Sequence, residues 1–288
     1  MDLCNINDIH SLLNRHGFRF TKSMGQNFLV DASVPRDISD VSGADENTGV
    51  LEIGPGVGCL TERLAERAGK VVSVELDRSL LPVLTETMDR FSNVEIVSGD
   101  IMKTDVAALV NEKLPQSRRI VCANLPYNIT TPVLTVLIKA HCFESMTVMI
   151  QKEVAMRICA DPGTAEYGAF TVLMRYYTEP ELVFDVPPSC FVPQPKVTSA
   201  VIRCVMLEKP PVDVRDEAFF FSVVRAAFAL RRKTLLNCLF SAFGDKMSKD
   251  ALAAIIEKCG FDADVRGERL SIEEFARLSD TLLDKLSN

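Results

Sequence analysis

Two short segments of this sequence carry residues that suit chemistry on a flat amine. Asn124-Leu125-Pro126-Tyr127 offers an amide oxygen and an aromatic face, and Pro126 biases Leu125 away from the helical region, so the segment stays extended. Upstream, Glu52-Ile53-Gly54-Pro55-Gly56-Val57-Gly58 follows a short apolar run, as in a loop that holds a nucleotide-like ligand. Together the two segments indicate methyl transfer from S-adenosylmethionine to the exocyclic nitrogen of a base.

The glycine spacing indicates which cofactor the loop suits. Gly54, Gly56 and Gly58 alternate, whereas the dinucleotide fingerprint Gly-x-Gly-x-x-Gly would require a third glycine at position 59, which is Cys59. This tighter spacing favours a cofactor without a pyrophosphate and counts against a nicotinamide dehydrogenase. Taken alone, the glycines are equally compatible with a plain tight turn.

Two acids follow the next two predicted strands. Glu75 ends the second strand, where a carboxylate can accept hydrogen bonds from both hydroxyls of a ribose. Asp100 ends the third strand, where it can accept from an adenine amino group. With Gly54, these residues should lie at one edge of a parallel sheet, where such sheets bind ligands.

Asn124 ends the fourth predicted strand, beside that edge. Its side-chain oxygen and the Leu125 carbonyl can accept both hydrogens of an adenine N6, which turns the nitrogen lone pair towards a methyl donor. Tyr127 can stack on the base, a contact worth about 1–3 kcal/mol. No general base is needed before transfer, so positioning is the main catalytic device. The alternative is a strand followed by a proline turn and a buried tyrosine.

Short β-branched runs alternate with helical patterns between residues 50 and 150, which predicts βαβ units and a parallel sheet. We place these strands at 49–53, 70–74, 94–97, 119–123 and 146–150, and the helices between them at 60–68, 79–91, 105–112 and 131–140. Two further strands are predicted at 181–186 and 198–205. The proline-rich turn between them should expose Phe191 as a binding aromatic, unless that ring fills the core.

Pro210-Pro211 marks a linker, after which every pattern is helical. Helices are predicted at 216–230, 233–240 and 248–259, and a last helix starts at a capping box formed by Ser271 and Glu274. We therefore expect a first domain over residues 1–207 and a small all-helical domain over 208–288.

Bulk properties set the broad class. The 288 residues are 47% hydrophobic and carry a net charge of −7, an ordinary globular balance that excludes a surface covered in basic charge. No apolar run reaches the ~20 residues that span a bilayer, and the N-terminus does not resemble a signal peptide. The nine cysteines are unclustered, which favours reduced thiols in a cytoplasmic protein and no metal site.

A local basic stretch nevertheless suits phosphate binding. Residues 193–233 hold eight basic and four acidic side chains, and Arg231-Arg232-Lys233 is the densest cluster. Together with Arg15, Arg19 and Lys22, these side chains are predicted to contact RNA phosphates. For any one of them, an ordinary solvated turn is an equally good interpretation.

The order of motifs along the chain resembles that of the ribosomal RNA adenine dimethyltransferases, and most closely their bacterial small-subunit branch. The resemblance covers about residues 10–280 and depends on five segments: Gly25-Gln26-Asn27-Phe28-Leu29, Glu52-Ile53-Gly54-Pro55-Gly56, Asn124-Leu125-Pro126-Tyr127-Asn128, Gln151-Lys152-Glu153-Val154-Ala155 and Phe191-Val192-Pro193-Gln194-Pro195-Lys196-Val197.

This resemblance implies a Rossmann-like class I methyltransferase fold, with a mostly parallel seven-stranded sheet and a small helical C-terminal domain. It implies S-adenosylmethionine as donor and N6,N6-dimethylation of two adjacent adenines in the 3′-terminal hairpin loop of 16S rRNA. The partner would be the immature 30S subunit, and the protein a cytoplasmic monomer.

The resemblance also assigns roles to residues. Catalysis falls to Asn124, Leu125, Pro126 and Tyr127. Cofactor binding falls to Asn27, Leu29, Gly54, Gly56, Glu75, Asp100 and Asn124. Phe191 is implied to contact the flipped base, and we add Arg231, Arg232 and Lys233 as RNA-binding residues.

Two other functions compete with this assignment. A large-subunit methyltransferase that confers macrolide resistance belongs to the same superfamily, but the net charge of −7 and the Phe191 segment count against it. A non-catalytic RNA-binding assembly factor could use the same fold, although the intact Asn124–Tyr127 segment argues for retained chemistry.

Overall fold

The structure is a computed structural model that describes residues 1–18, 27–230 and 232–287. Its contacts divide the chain into two compact units. The first comprises Met1–Ala155 and Pro180–Met206, and the second comprises Met156–Glu179 and Leu207–Asn288. The chain passes from the first unit to the second for the last time between Met206 and Leu207, one residue before the boundary predicted at 207/208. The prediction missed that residues 156–179 belong with the C-terminal helices.

The central element is a seven-stranded sheet. In chain order its strands are β2 (Thr48–Ile53), β3 (Lys70–Glu75), β4 (Val94–Ser98), β5 (Arg118–Asn124), β6 (Ser145–Gln151), β7 (Thr178–Val186) and β9 (Ser199–Met206). Two shorter strands, β1 (Phe28–Leu29) and β8 (Phe191–Val192), form a separate antiparallel ribbon. All seven strands predicted from the sequence are therefore present in the sheet.

The strand order is β4-β3-β2-β5-β6-β9-β7. The pairs β2–β3, β3–β4, β2–β5 and β5–β6 are parallel, and β6–β9 is antiparallel. The order reverses between β2 and β5, which makes the carboxyl ends of these two strands a crevice. Ligands of open α/β sheets bind at such a crevice.

Helices cover the sheet of the first unit: α1 (Ile6–Arg15), α2 (Ser33–Ser42), α3 (Cys59–Ala65), α4 (Leu81–Met88), α5 (Val106–Lys113) and α6 (Thr130–Lys139). The helix α7 (Lys152–Cys159) follows β6. Apolar side chains of the early helices and the sheet share one core, which includes Leu12, Ile38, Leu64, Ile120 and Met149. Every residue of β2 is buried, which explains its apolar run.

The first two helices are each followed by a glycine. Gly17 and Gly43 follow α1 and α2 with φ of 64° and 70°, a left-handed conformation that costs glycine little. Asp31 accepts a hydrogen bond from the Ser33 backbone N–H at 2.9 Å just before α2, whereas the residue at the helix cap is Ala32, which provides no side-chain capping bond. None of the helices in the described ranges is both long and apolar enough to cross a bilayer.

The second unit is helical and is built around aromatic side chains. Its helices are α8 (Ala169–Tyr177), α9 (Glu217–Phe228), α10 (Leu235–Phe243), α11 (Lys249–Lys258) and α12 (Ile272–Ser287). Tyr176 lies 5.3 Å from Phe220 between ring centroids, and Tyr167 lies 5.8 Å from Phe228. These ring contacts explain why residues 156–179 join the C-terminal helices.

The predicted capping box of the last helix is confirmed. The Ser271 backbone N–H donates to Glu274 Oε2 at 2.8 Å, and the Glu274 backbone N–H donates to Ser271 Oγ at 3.3 Å. These two bonds satisfy two donors that the first turn of α12 would otherwise leave without partners.

Candidate active site

The first unit contains a cavity of about 220 Å³ at the carboxyl ends of its parallel strands. Ten residues predicted from the sequence to be catalytic or to bind cofactor line it: Asn27, Leu29, Gly54, Gly56, Glu75, Asp100, Asn124, Leu125, Pro126 and Tyr127. The structure thus brings both predicted groups around one hollow. Their individual roles stay predictions.

The loop that follows β2 has a backbone conformation that explains why it contains three glycines. Gly54, Gly56 and Gly58 have φ of 69°, 63° and 97°, and the Gly54 N–H donates to the Val74 carbonyl oxygen at 3.0 Å. A Cβ atom built on Gly54 would meet nothing within 4 Å, whereas one on Gly56 would lie 3.3 Å from the Phe28 ring. The loop backbone therefore leaves room for a ligand to approach closely at Gly54.

Glu75 and Asp100 are held by backbone groups beside this loop. Glu75 ends β3, is only 5% exposed, and accepts a hydrogen bond from the Asp77 N–H at 2.8 Å. Burial raises the pKa of Glu75, and hydrogen bonds from backbone amides oppose that rise. Asp100 accepts from the Met102 N–H at 3.0 Å, which fixes its carboxylate just beyond β4.

The Asn124–Tyr127 segment is anchored through its backbone. Asn124 ends β5, and the Leu125 N–H donates a hydrogen bond to the Met149 carbonyl oxygen at 3.1 Å. A turn begins at Pro126, whose carbonyl oxygen accepts a hydrogen bond from the Ile129 N–H at 3.2 Å. Across the described ranges, no protein group hydrogen-bonds to the Asn124 amide or to the Leu125 carbonyl oxygen. Both acceptors thus remain available to a ligand.

Glu52 is a cavity residue that sequence reasoning did not assign to the site. It lies in β2, is 1% exposed, and its Oε2 accepts hydrogen bonds from Thr61 Oγ1 at 2.7 Å and Ser73 Oγ at 2.6 Å. Burial raises the pKa of Glu52 to about 7. The signal that would have found it is an acid inside an otherwise apolar strand, because a buried carboxyl group requires dedicated partners.

Replacing Glu52 with glutamine is expected to reduce the pH dependence of folding stability. The folded-state pKa is raised from 4.5 to about 7, so the contribution of this group is present below pH 4.5 and is lost as the pH rises through 7. Over that window, the wild type should lose about 3 kcal/mol relative to Glu52→Gln. Urea unfolding at pH 4.5, 6 and 8 measures this difference.

A matched control for this measurement is Glu46→Gln, because Glu46 is exposed and precedes the same strand. This variant should follow the wild-type profile at all three pH values. Parallel wild-type and Glu52→Gln profiles would show that the Glu52 carboxyl group does not change its protonation in this range.

The expected exposure of Phe191 is wrong. Phe191 is 1% exposed, because β8 pairs with β1 and places Phe191 opposite Leu29 within the core of the first unit. The structure therefore matches the alternative interpretation, in which the ring of Phe191 fills the core. Its contact with an RNA base stays a prediction, and it would require the ring to leave this position.

The structure describes only some of the basic side chains that were predicted to contact RNA phosphates. Arg231, Arg19, Lys22 and the segment Gly25-Gln26 lie outside the described residues. Arg232 and Lys233 are exposed in the second unit, between α9 and α10, and neither forms an ion pair within the described part of the chain. Arg15 pairs with Glu86, which reduces its availability to a phosphate.

A mostly parallel sheet with an antiparallel β6–β9 pair, together with a glycine loop and strand-end acids around a cavity, defines a Rossmann-like class I methyltransferase. The family model described as ribosomal RNA adenine dimethylase matches residues 17–284. The chain therefore belongs to the ribosomal RNA adenine dimethylase family. It is an rRNA methyltransferase that uses S-adenosylmethionine as its methyl donor.

Relatives and solved structures agree with this assignment. A protein of Geobacillus kaustophilus (strain HTA426) named ribosomal RNA small subunit methyltransferase A is 49% identical over 274 residues, 94% of each chain. A crystal structure of the 23S rRNA methyltransferase ErmE is 26% identical, with a TM-score of 0.69 over 89% of this chain and 99% of that one.

A third comparison shows the fold alone. The crystal structure of a dimethyladenosine transferase from Plasmodium falciparum is 24% identical to this chain. It covers 90% of this chain and 98% of its own, with a TM-score of 0.73.

Proposed function

We propose that this enzyme dimethylates N6 of two adjacent adenines in the 3′-terminal hairpin loop of 16S rRNA during late assembly of the small subunit. The cavity carries the proposal, because free acceptors at Asn124 and Leu125 lie around the same hollow as the strand-end acids. The choice of the small subunit is supported by the 49% identical relative named for it.

The residues around the cavity fit the methyl donor. Glu75 would accept from the ribose hydroxyls and Asp100 from the adenine amino group, while Gly54 leaves its backbone open to the ligand and Gly56 lines the same cavity. Asn27 and Leu29 would contact the donor from β1 and the residue before it. When bound, S-adenosylmethionine supplies an electrophilic methyl group on a sulfonium.

The acceptor adenine would be oriented by the Asn124–Tyr127 segment. The Asn124 side-chain oxygen and the Leu125 carbonyl oxygen would each accept one N6 hydrogen, and Tyr127 would stack on the base. The N6 lone pair forms the new C–N bond while the C–S bond breaks, and the sulfur keeps the bonding electron pair. The ammonium then loses a proton to water, so no residue must act as a base beforehand.

The RNA must deliver an unstacked adenine to a partly enclosed site, and a hairpin loop lowers the cost of unstacking. Arg231, Arg232 and Lys233 would contact phosphates, which gives salt-dependent binding. Phe191 would contact the flipped base if its ring turns out of the core. We further propose that the protein acts as a monomer in the cytoplasm on immature 30S particles.

Transfer of label from S-adenosylmethionine to immature 30S particles that lack the modification tests this proposal. We expect N6,N6-dimethyladenosine at two adjacent adenines of the 3′-terminal hairpin loop, mapped by nuclease digestion. Naked 23S rRNA serves as the competing substrate, because the similarity to ErmE makes a large-subunit target the second candidate. Label in 23S rRNA would support that candidate, and absence of label in both would indicate a non-catalytic factor.

A further inference from the structure

We propose that Ser199 is a positioning residue that fixes the ring of Tyr127 where it lines the cavity. The hydroxyl groups of Tyr127 and Ser199 lie 2.6 Å apart and form a hydrogen bond. Ser199 is 0% exposed, whereas Tyr127 is half-buried and lines the cavity. This inference rests on the proposed function, in which the ring of Tyr127 stacks on the acceptor base.

The sheet fixes the position of the Ser199 hydroxyl. Ser199 is the first residue of β9 and pairs with Gln151, the last residue of β6. The preceding carbonyl, that of Thr198, accepts a hydrogen bond from the Lys152 N–H at 2.9 Å, so the backbone is held on both sides of Gln151. A side chain held in this way is a rigid anchor for its partner.

The backbone that leads into Tyr127 is held by strand β6 and helix α6. The Leu125 N–H donates to Met149 in β6 at 3.1 Å, and Thr130 Oγ1 donates to the Pro126 carbonyl oxygen at 3.2 Å. Tyr127 is therefore fixed through its backbone at one end and through its hydroxyl at the other. The remaining freedom of the ring, rotation about its side-chain bonds, is restricted by the bond to Ser199.

This arrangement serves the chemistry proposed for the site. Stacking holds a base in register only if the aromatic ring keeps its plane, and small misplacements of reacting groups cost large factors in rate. Burial raises the pKa of the Tyr127 hydroxyl, so that group stays protonated at neutral pH and can remain in the hydrogen bond. Ser199 is not among the residues that line the cavity, so it would act only through Tyr127.

The hydrogen bond itself can be tested without any substrate. The chain has four tyrosines, so an NMR spectrum of protein labelled with ¹³C at the tyrosine Cζ should show four signals. Tyr127→Phe identifies the Tyr127 signal by removing it. Ser199→Ala should shift that signal and leave the other three in place, and Ser199→Thr, which keeps the hydroxyl, should restore its position.

The positioning role can be tested by a double-mutant cycle on single-turnover methyl transfer. Ser199→Ala and Tyr127→Phe should each lower the rate constant about 10-fold, and the double variant should be no slower than either. The dissociation constant for S-adenosylhomocysteine should change less than about two-fold. Ser145→Ala is the matched control, because Ser145 is a buried serine at the opposite end of β6 with no side-chain hydrogen bond to the described residues.

The outcomes separate this inference from the proposed function. An unmoved Tyr127 signal in Ser199→Ala, or losses that multiply in the double variant, would overturn the role of Ser199 while wild-type methylation stands. Absence of adenine methylation by the wild type would instead remove the proposed function, and the NMR result would then show only a structural bond. Unfolding midpoints of all variants exclude a rate loss through unfolding, and Tyr127→Phe removes the same bond if Ser199→Ala is unstable.

Discussion

Replacing Asn124 with alanine is expected to reduce methyl transfer about 1000-fold while binding to the 30S particle stays nearly unchanged. The side-chain amide has no partner in the described part of the chain and lines the cavity at the end of β5. It is thus free to accept an N6 hydrogen, and loss of one such preorganised group commonly costs about 100- to 1000-fold in rate. Single-turnover transfer from labelled S-adenosylmethionine measures the effect.

Asn47→Ala is the control for this experiment. Asn47 is an exposed asparagine just before β2, at the amino end of the parallel strands and therefore far along the strand from the cavity. Its replacement should leave transfer and particle binding at wild-type values. Wild-type turnover in Asn124→Ala would exclude this amide from the mechanism, and loss of particle binding would assign it to RNA recognition instead.

Much of the fold could be predicted because the parallel strands are buried on both faces. The run that contains Val50, Leu51 and Ile53 could only be an interior strand, and the observed Thr48–Ile53 differs by a single residue. Local chemistry also sets several helix ends, such as Gly43 after α2.

The predicted start of one helix is wrong because of a proline. Helix α4 begins at Leu81 after a 3-10 turn, because Pro82 lacks the N–H that a continuous helix from Ser79 would use.

Long-range contacts explain what the sequence could not predict. Helix α8 was missed, and residues 156–179 join the second unit through rings such as Tyr176 against Phe220, which are 44 positions apart in the chain. Phe191 was expected to be exposed because prolines surround it. Its burial depends on pairing with Leu29, a contact between distant segments that no local pattern specifies.

The cavity was easier to predict than the surface around it. Parallel strands place their carboxyl ends at one edge, so Glu75, Asp100 and Asn124 had to converge once the strands were placed. Ser199 follows no such rule, because β9 runs antiparallel to β6 and brings its first residue to that edge. A prediction of one antiparallel strand from the sequence would have been needed to place it there.

Replacing Glu75 with glutamine is expected to weaken binding of S-adenosylmethionine and S-adenosylhomocysteine about 100-fold and to the same extent. Both ligands carry the ribose that the Glu75 carboxylate is proposed to hold from the end of β3. Hydrogen bonds to a charged group contribute about 1.5–3 kcal/mol, and about 1.4 kcal/mol corresponds to a factor of ten in affinity. Isothermal titration with each ligand measures the two dissociation constants.

Equal losses for the two ligands are the distinctive part of this result, because the ligands differ only at the sulfur. A loss confined to S-adenosylmethionine would mean that the Glu75 carboxylate interacts with the sulfonium charge rather than with the ribose. Glu46→Gln, which removes an exposed carboxylate before β2, is the control and should bind both ligands like the wild type. Unchanged affinity for both ligands in Glu75→Gln would place the ribose elsewhere in the cavity, since loss of a pair of charge-assisted hydrogen bonds to a buried carboxylate lowers affinity.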